Sequence, residues 1–264
     1  MKTKNDKYLN NSLINGMKIL DAFEEQDSHL TSKQISEKLN LNSSSTWRLI
    51  YTLQHLGYLE QIPDSDEYML ASKMLKFARI ILNNIKLRGV AKPYIEDLVA
   101  DLKLNSNLTI LENNKSILIL RIPSPEIPDT HFHVGREFPL HCSSSGKILL
   151  ANTPEDQLKK ILDKLELKKI TSKTITDKKK LYDNLMQIKE QGYAVDNGEY
   201  IKNTNCIAVP IHDSSGKVIA SLSVSNRQLN ESQKVDIKNC LNSLSTTAKK
   251  ISYNIGYGLY NPMA

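Results

Sequence analysis

Two groups of serines have the types and spacing expected of a binding site for a small acidic molecule. Ser223 and Ser225 alternate with apolar residues, so both hydroxyls lie on one side of a predicted strand. The run 143–146, Ser-Ser-Ser-Gly, leads into a predicted helix, where free backbone N–H groups and the helix dipole favour a carboxylate. The alternative is that these serines only cap the helix and fill small spaces, and the residue types leave both possibilities open.

A third group of residues has the chemistry of DNA recognition. Apolar side chains recur at helical spacing from about Ser44 to His55, which predicts a buried stripe of Thr46, Leu49, Ile50, Leu53 and Leu56. The outward face then carries Ser44, Ser45, Trp47, Arg48 and Tyr51. Small hydroxyls, an aromatic ring and an arginine near a helix N-terminus suit the major groove of DNA. The alternative is a helical hairpin whose outer face is only solvated, although exposing the chain's single tryptophan there would be costly without a partner.

The flanking segments complete a winged helix-turn-helix over residues 30–70. Thr31 can cap a first helix with Gln34 as its capping-box partner, and Asn42 or Ser43 can cap the second helix. Two short extended runs, 58–62 and 68–70, are separated by an acidic turn and predict the wing. We therefore predict DNA contacts from Thr31, Ser43, Ser44, Ser45, Trp47 and Arg48.

Composition limits the class of protein. The chain of 264 residues has room for two domains, and no apolar run is long enough to span a membrane. The charged N-terminus predicts no signal peptide, and three sparse cysteines (Cys142, Cys206 and Cys240) favour free thiols in a reducing cytoplasm. A net charge of +6 suits an anionic partner, but acids outnumber bases within the helix-turn-helix. We therefore expect dimerisation and the basic N-terminal arm to strengthen DNA binding.

The hydrophobic pattern predicts three parts: a DNA-binding domain over 1–71, a linker helix over 72–92, and an α+β sensor-type domain over 93–264. A supporting helix is expected at 12–23. The helical stretch 72–88 has an apolar surface so broad that it should pack against a second copy or the following domain. Gly89 and Pro93 predict a break before a further helix at 93–102. In the last domain, strands are expected at 107–112, 116–122, 131–134, 193–195, 206–212 and 218–225, with helices at 144–150, 154–165, 177–191 and 231–255.

Catalytic and metal-binding interpretations are weaker. The residues around Gly146-Lys147 do not match a phosphate-binding loop, and no G-x-S-x-G motif is present. His131 and His133 share a face of a predicted strand, so a zinc site that uses them with His141, Cys142 or Cys206 is conceivable; surface or loop histidines are the favoured interpretation. His141 and Cys142 are adjacent on an extended chain and point apart. We predict neither a catalytic residue nor a cofactor.

Several motifs resemble those of the IclR family of transcriptional regulators. The recognition helix resembles the family's in L-N-S-S-S-T-W-R-L-I (41–50). The effector-domain signatures are G-R-E-F-P-L-H-C-S-S-S-G-K-I-L-L-A (135–151), I-K-E-Q-G-Y-A-V-D (188–196) and C-I-A-V-P-I-H-D-S-S-G-K-V-I-A-S-L-S-V-S (206–225). They occur in the family's order and at its spacing over nearly the full length.

The resemblance implies an N-terminal winged helix and a C-terminal ligand-binding domain related to the GAF fold. It also implies dimers or dimers of dimers, a palindromic double-stranded DNA operator, and a small metabolite, frequently an organic acid, as the effector. By motif match, the effector pocket contains Ser144, Ser145, Asp196, Cys206, Ser223 and Ser225. Asp196 beside an anion can accept a hydrogen bond from a ligand hydroxyl or be partly protonated.

Two departures from the family pattern affect the prediction. Ser43 stands where the family usually has lysine, which removes one phosphate contact. Asn-Thr-Asn-Cys (203–206) replaces the usual G-L-R-C, so Thr204 makes the pocket more polar and predicts a sugar acid or its derivative. The competing hypothesis is a small-molecule enzyme in which the N-terminal part serves only for dimerisation.

Overall fold

A computed structural model describes residues 8–24, 26–127, 132–227 and 237–257. The chain divides into two compact units, residues 1–84 and 85–264. Within the described residues, no helix combines the length and apolarity needed to cross a membrane. The architecture is α+β, as predicted, with a helix-turn-helix unit followed by an antiparallel-sheet unit.

The N-terminal unit is a winged helix-turn-helix. It contains helices α1 (Asn11–Asp21), α2 (Ser32–Leu39), α3 (Ser43–His55) and α4 (Met74–Asn84), and strands β1 (Leu30–Thr31), β2 (Leu59–Gln61) and β3 (Glu67–Leu70). The wing is an antiparallel sheet in the order β1-β3-β2. Strand β1 was not predicted, because two residues are too few to show an alternating pattern. Ile19, Ile35, Ile50 and Leu59 are buried in the common core.

The predicted caps of the helix-turn-helix are confirmed. Thr31 Oγ1 accepts a hydrogen bond from Gln34 N (3.2 Å), and Gln34 Oε1 accepts one from Thr31 N (2.8 Å), which forms a capping box. Asn42 Oδ1 accepts from Ser44 N (3.0 Å) and from Ser45 N (3.4 Å), so Asn42 caps α3. These caps fix where α3 begins and therefore which side chains its first turn presents.

The linker prediction is wrong in where the helix breaks. Helix α4 ends at Asn84, and helix α5 (Lys86–Leu102) runs without interruption through Gly89 and Pro93. The break lies at Ile85, which is the non-helical N-cap residue of α5 (φ −79°, ψ 89°). The reason is packing, since Leu87, Ala91 and Ile95 recur every four residues and are buried in the core of the C-terminal unit. That burial outweighs the helix-breaking tendency of Pro93.

The C-terminal unit is built on one six-stranded antiparallel sheet. Its strands are β4 (Asn105–Glu112), β5 (Lys115–Ile122), β6 (Glu137–Phe138), β7 (Ala194–Asn197), β8 (Thr204–His212) and β9 (Val218–Arg227), in the order β6-β5-β4-β9-β8-β7. One face packs against α5 and helix α9 (Ile237–Asn254). The other face carries helices α6 (Ser144–Ala151), α7 (Glu155–Lys164) and α8 (Lys178–Gln191), with their own apolar core.

Two further predictions need correction or fall partly outside the described residues. Phe132–Val134 is not a strand, and His131 lies outside the described residues. Gly135 has a positive φ of 97° and turns the chain, and its N–H donates to Leu118 O (2.8 Å), so the chain joins the sheet slightly later, as β6. The terminal helix, predicted from residue 231, is described from 237, and residues 231–236 lie outside the described ranges.

Candidate functional site

A pocket in the C-terminal unit contains all six residues that the motifs predict for the effector. It holds about 450 Å³ of space free of protein atoms, a volume that includes open solvent at its mouth. The predicted residues in its wall are Ser144, Ser145, Asp196, Cys206, Ser223 and Ser225. The structure therefore brings together segments that are distant in the chain; Ser145 and Ser223, for example, are 78 positions apart.

Strand register forms the floor of the pocket. Ser225 stands opposite Cys206, which stands opposite Asp196, while Ser223 stands opposite Asn107 on the other side. Residues that are directly opposite in an antiparallel ladder project from the same face of the sheet. The alternation predicted for Ser223 and Ser225 is therefore confirmed, and β4 adds Asn107 to the same surface.

The start of α6 forms a second wall. Ser143 is its N-cap: Oγ accepts from Gly146 N (3.1 Å) and donates to Pro139 O (2.6 Å). Ser145 Oγ donates to Ser223 Oγ (3.2 Å) and so joins the helix to the floor. The capping role considered as an alternative is thus correct for Ser143, whereas Ser144 and Ser145 face the pocket.

One hydroxyl in the wall lacks a protein partner. The Thr204 hydroxyl oxygen is buried without a hydrogen bond; the unpaired hydroxyls of Thr109, Ser116 and Ser221 do not line this pocket. Buried polar groups are nearly always paired in folded proteins. A ligand with a polar group in this pocket would supply a partner for the Thr204 hydroxyl.

Asp196 is buried and organises the loop beside the pocket. Its Oδ1 accepts hydrogen bonds from Glu199 N (2.6 Å) and Tyr200 N (3.4 Å). Burial raises the pKa of the Asp196 carboxyl to about 6, because the ionised form loses its hydration. A carboxyl with this pKa is partly protonated near pH 6, and its ionised form accepts hydrogen bonds, so both alternatives predicted for Asp196 stay open.

Two parts of the site were missed by the sequence analysis. Buried Lys147 forms an ion pair with Glu199 (2.6 Å) and donates to Val195 O (2.7 Å), which ties α6 to the loop after β7. An aromatic wall consists of Phe132, Phe138 and Tyr200, with Phe132 and Phe138 in edge-to-face contact at 5.2 Å. The three aromatic residues come from separate segments, so no local pattern in the sequence marks them. Lys147 lies within the motif 135–151, but its partner Glu199 is distant in the sequence.

The cysteines and histidines within the described residues lie in separate surroundings. Burial raises the pKa of Cys142 to about 12 and the pKa of Cys206 well above its usual value, so both thiols stay protonated. Among the residues described, no group of three His, Cys, Asp or Glu side chains is placed to hold a metal ion. His133 is exposed in a loop, and the His141 ring lies 3.0 Å from Lys168 O.

The predicted DNA-facing surface is exposed on α3. Ser43, Ser44, Ser45 and Arg48 face solvent, and Trp47 is 53% exposed. Trp47 stacks on Tyr51 with ring centroids 5.6 Å apart, which forms an aromatic pair on the outer face.

Thr31 is less exposed than the α3 residues predicted to contact DNA, and Leu56 is more exposed than predicted. Thr31 is half-buried, and its side chain is engaged in the capping box, so its part in DNA contact remains a prediction. Leu56, predicted to be buried, is 49% exposed because it lies at the C-cap, beyond the packed turns.

A winged helix-turn-helix joined to a domain with a ligand pocket defines a class, the ligand-responsive transcriptional regulators. The chain belongs to the IclR family of that class. Residues 12–63 match the family's "IclR helix-turn-helix domain", and residues 80–253 match "Bacterial transcriptional regulator IclR C-terminal".

The relatives agree with this assignment. The chain is 33% identical to the transcriptional regulator KdgR of Escherichia coli over 250 residues, which covers 94% of each protein. It is 34% identical over 215 residues to the Pca regulon regulatory protein of Pseudomonas putida, covering 81% of this chain and 73% of that protein. Because these relatives are named as regulators, the comparisons favour regulation over the enzyme hypothesis.

Solved structures match along almost the whole chain. An IclR homologue from Microbacterium hydrocarbonoxydans, complexed with 4-hydroxybenzoate, has a TM-score of 0.77 at 26% identity, covering 93% of this chain and 99% of that one. The Thermotoga maritima IclR structure has a TM-score of 0.69 at 27% identity, covering 94% of this chain and 99% of that one.

Proposed function

We propose that the chain binds a palindromic DNA operator in the cytoplasm as a homodimer or dimer of dimers, and that a small organic or sugar acid controls the binding. The observation that carries the proposal is one pocket that brings the six motif-predicted residues together with the unpaired Thr204 hydroxyl, in a chain that also presents the exposed face of α3. The effector can change the affinity for DNA only if it binds two conformations of the protein, one with high and one with low affinity for DNA, with different strength.

For DNA, the exposed face of α3 supplies the contacts. Arg48 is exposed and suits a guanine edge, which accepts two hydrogen bonds from a guanidinium group. Ser44 and Ser45 suit base edges or phosphates, and the Trp47–Tyr51 pair suits thymine methyl groups. A well-formed bidentate contact is worth roughly 1–3 kcal/mol of discrimination against the wrong base.

For self-association, α1 and α4 supply an apolar surface. Helix α4 has no buried residue, and large apolar side chains are exposed on it: Leu75 is 69% exposed and Ile81 is 60% exposed. On α1, Leu13 is 66% exposed and Met17 is 51% exposed. Large exposed apolar patches mark interfaces, and a second copy that covers them also doubles the number of DNA contacts.

For the effector, the N-terminus of α6 is the place for the carboxylate. The backbone N–H groups of Ser144 and Ser145 lie in the first turn, where the helix dipole favours negative charge. Asp196, Thr204 and Ser225 suit ligand hydroxyls, and Thr204 makes a polyhydroxylated acid a better fit than a small keto acid. That a homologous structure holds 4-hydroxybenzoate, itself a carboxylate, supports this class.

A DNA-binding assay with a matched variant tests the recognition helix. We expect the full chain to retard its own upstream intergenic DNA, and Arg48→Ala to abolish the sequence-specific shift while leaving the oligomer intact. Lys33→Ala is the control, since it removes one exposed positive charge from α2 instead. Undiminished specific binding by Arg48→Ala would remove α3 as the recognition helix.

A thermal-shift screen of organic and sugar acids tests the pocket. We expect at least one acid to raise the melting temperature of the wild type, and Ser223→Val combined with Ser225→Val to end that response. A response that survives in the double variant would place the effector elsewhere.

A further inference from the structure

Asn107 lies on the pocket floor between two cross-strand neighbours. It stands opposite Arg121 of β5 on one side and Ser223 of β9 on the other. Its side chain is buried (5% exposed) and forms part of the pocket wall. Arg121 Nη1 donates a hydrogen bond to Asn107 Oδ1 at 3.0 Å. None of the family motifs includes Asn107.

The arginine determines which end of the amide faces the pocket. A guanidinium group has only donors, so the atom it contacts must be the amide oxygen. The Asn107 NH₂ group is therefore left on the pocket side, and it has no hydrogen-bond partner within the described residues. The amide thus presents a donor, and Arg121 prevents it from turning to present an acceptor.

We infer that the Asn107 NH₂ group donates a hydrogen bond to an acceptor oxygen of the effector, and that Arg121 is the positioning residue that keeps it a donor. This inference rests on the proposed function and deepens it. The pair makes the pocket selective for a carboxylate or carbonyl oxygen over an amine at this position. A protonated amine has only N–H donors, so it would face the N–H donors of Asn107 and neither group would find an acceptor there.

A charge substitution with a matched control tests the donor. Asn107→Asp keeps the size of the side chain and its contact with Arg121, but it turns a carboxylate oxygen toward the ligand. Asn205→Asp is the control, because Asn205 is adjacent to Cys206 on β8, so its side chain projects from the opposite face. Calorimetry on the full chain would use pyruvate, D-gluconate and D-glucuronate as probes.

We expect Asn107→Asp to weaken the affinity for the acid that binds the wild type by about 10-fold to 100-fold, since a donor to a charged group is replaced by a like charge. Asn205→Asp should bind as the wild type does. Equal binding by wild type and Asn107→Asp would overturn the inference and leave the proposed function standing. Binding of none of the acids by the wild type would overturn both.

A second pair of variants tests the positioning role and does not depend on Asn107→Asp folding. Arg121→Met frees the amide to rotate, whereas Arg121→Lys keeps a cationic donor. The measured quantity is the ratio of the dissociation constants for D-gluconate and its amino counterpart, 1-amino-1-deoxy-D-glucitol, with neutral D-glucitol as reference. A merely structural role would weaken all three ligands together.

We expect Arg121→Met to lower the preference for the acid by about 5-fold or more, and Arg121→Lys to restore most of it. An unchanged preference in Arg121→Met would overturn the positioning role.

Discussion

Lys147 Nζ lies 2.6 Å from Glu199 Oε1, and the two side chains are only 2% and 13% exposed. The ammonium group also donates to Val195 O at 2.7 Å, so one lysine of α6 contacts both β7 and the loop that follows it. That loop supplies Tyr200 and Ile201 to the pocket wall. A buried ion pair therefore holds together the helix that starts at the pocket and the loop that borders it.

Breaking this pair should be costly, whereas replacing both partners should not be. We expect Lys147→Met to lower the free energy of unfolding by about 3–5 kcal/mol, because Glu199 would stay buried without a counter-charge. Lys147→Met combined with Glu199→Leu should recover most of the loss. Urea denaturation of the wild type, both single variants and the double variant measures the coupling, and purely additive losses would show that the two charges do not depend on each other.

The buried carboxyl of Asp196 predicts a pH dependence of stability with a definite sign. Its folded-state pKa is raised from 3.8 to about 6, so the folded protein holds a proton that the unfolded chain releases. The contribution to stability is complete below pH 4 and is lost as the pH rises toward 6, by up to about 3 kcal/mol in total. Asp196→Asn should remain neutral and lose nothing over this range. Denaturation curves at several pH values test this, and a constant difference between wild type and variant would contradict it.

The close packing at Gly146 predicts that a glycine-to-alanine substitution destabilises the protein there but not at Gly89. A Cβ at position 146 would lie 2.7 Å from Leu140 Cα and from Pro139 O, both backbone atoms that cannot move freely. Gly146→Ala should therefore shift the start of α6, cost about 1–3 kcal/mol in stability and weaken effector-induced stabilisation. Gly89→Ala is the control, because nothing lies within 4 Å of a Cβ there and α5 is helical. It should stabilise the protein by roughly 0.5–1 kcal/mol. Equal effects at the two sites would rule out the steric argument.

The sequence predicted those parts of the fold and site that local patterns encode. Alternation along β9 placed Ser223 and Ser225 on one face, and the capping box at Thr31 marked the start of α2. Family motifs supplied Asp196 and Cys206.

Other features depend on register and packing between distant segments. Asn107 is significant only because it stands opposite Arg121 and Ser223, and Lys147 only because Glu199 reaches it. The break at Ile85 escaped prediction because the burial of Ala91 and Ile95 carries α5 through Pro93, and that burial is a tertiary effect.

Two acidic residues at the tip of the wing predict that removing negative charge there strengthens DNA binding. Asp64 and Asp66 are exposed in the turn between β2 and β3. Two hydrogen bonds that stabilise the turn do not involve these carboxylates. Ile62 N donates to Glu67 O (2.9 Å), and Gln61 Nε2 donates to Ser65 O (2.8 Å). Neutralising both residues should leave the turn intact, and asparagine tolerates the positive φ of 57° at position 64.

If the wing approaches the DNA backbone, these carboxylates repel phosphates. We expect Asp64→Asn combined with Asp66→Asn to increase affinity for non-specific duplex DNA about 3-fold to 10-fold at low salt, and the gain should shrink as salt rises. Fluorescence anisotropy across a salt series measures this. Asp183→Asn combined with Glu190→Gln gives the same change in net charge on the exposed face of α8 and should have a smaller effect. An equal gain from both pairs would show that only net charge matters, and no gain from the wing pair would place the wing tip away from the phosphates.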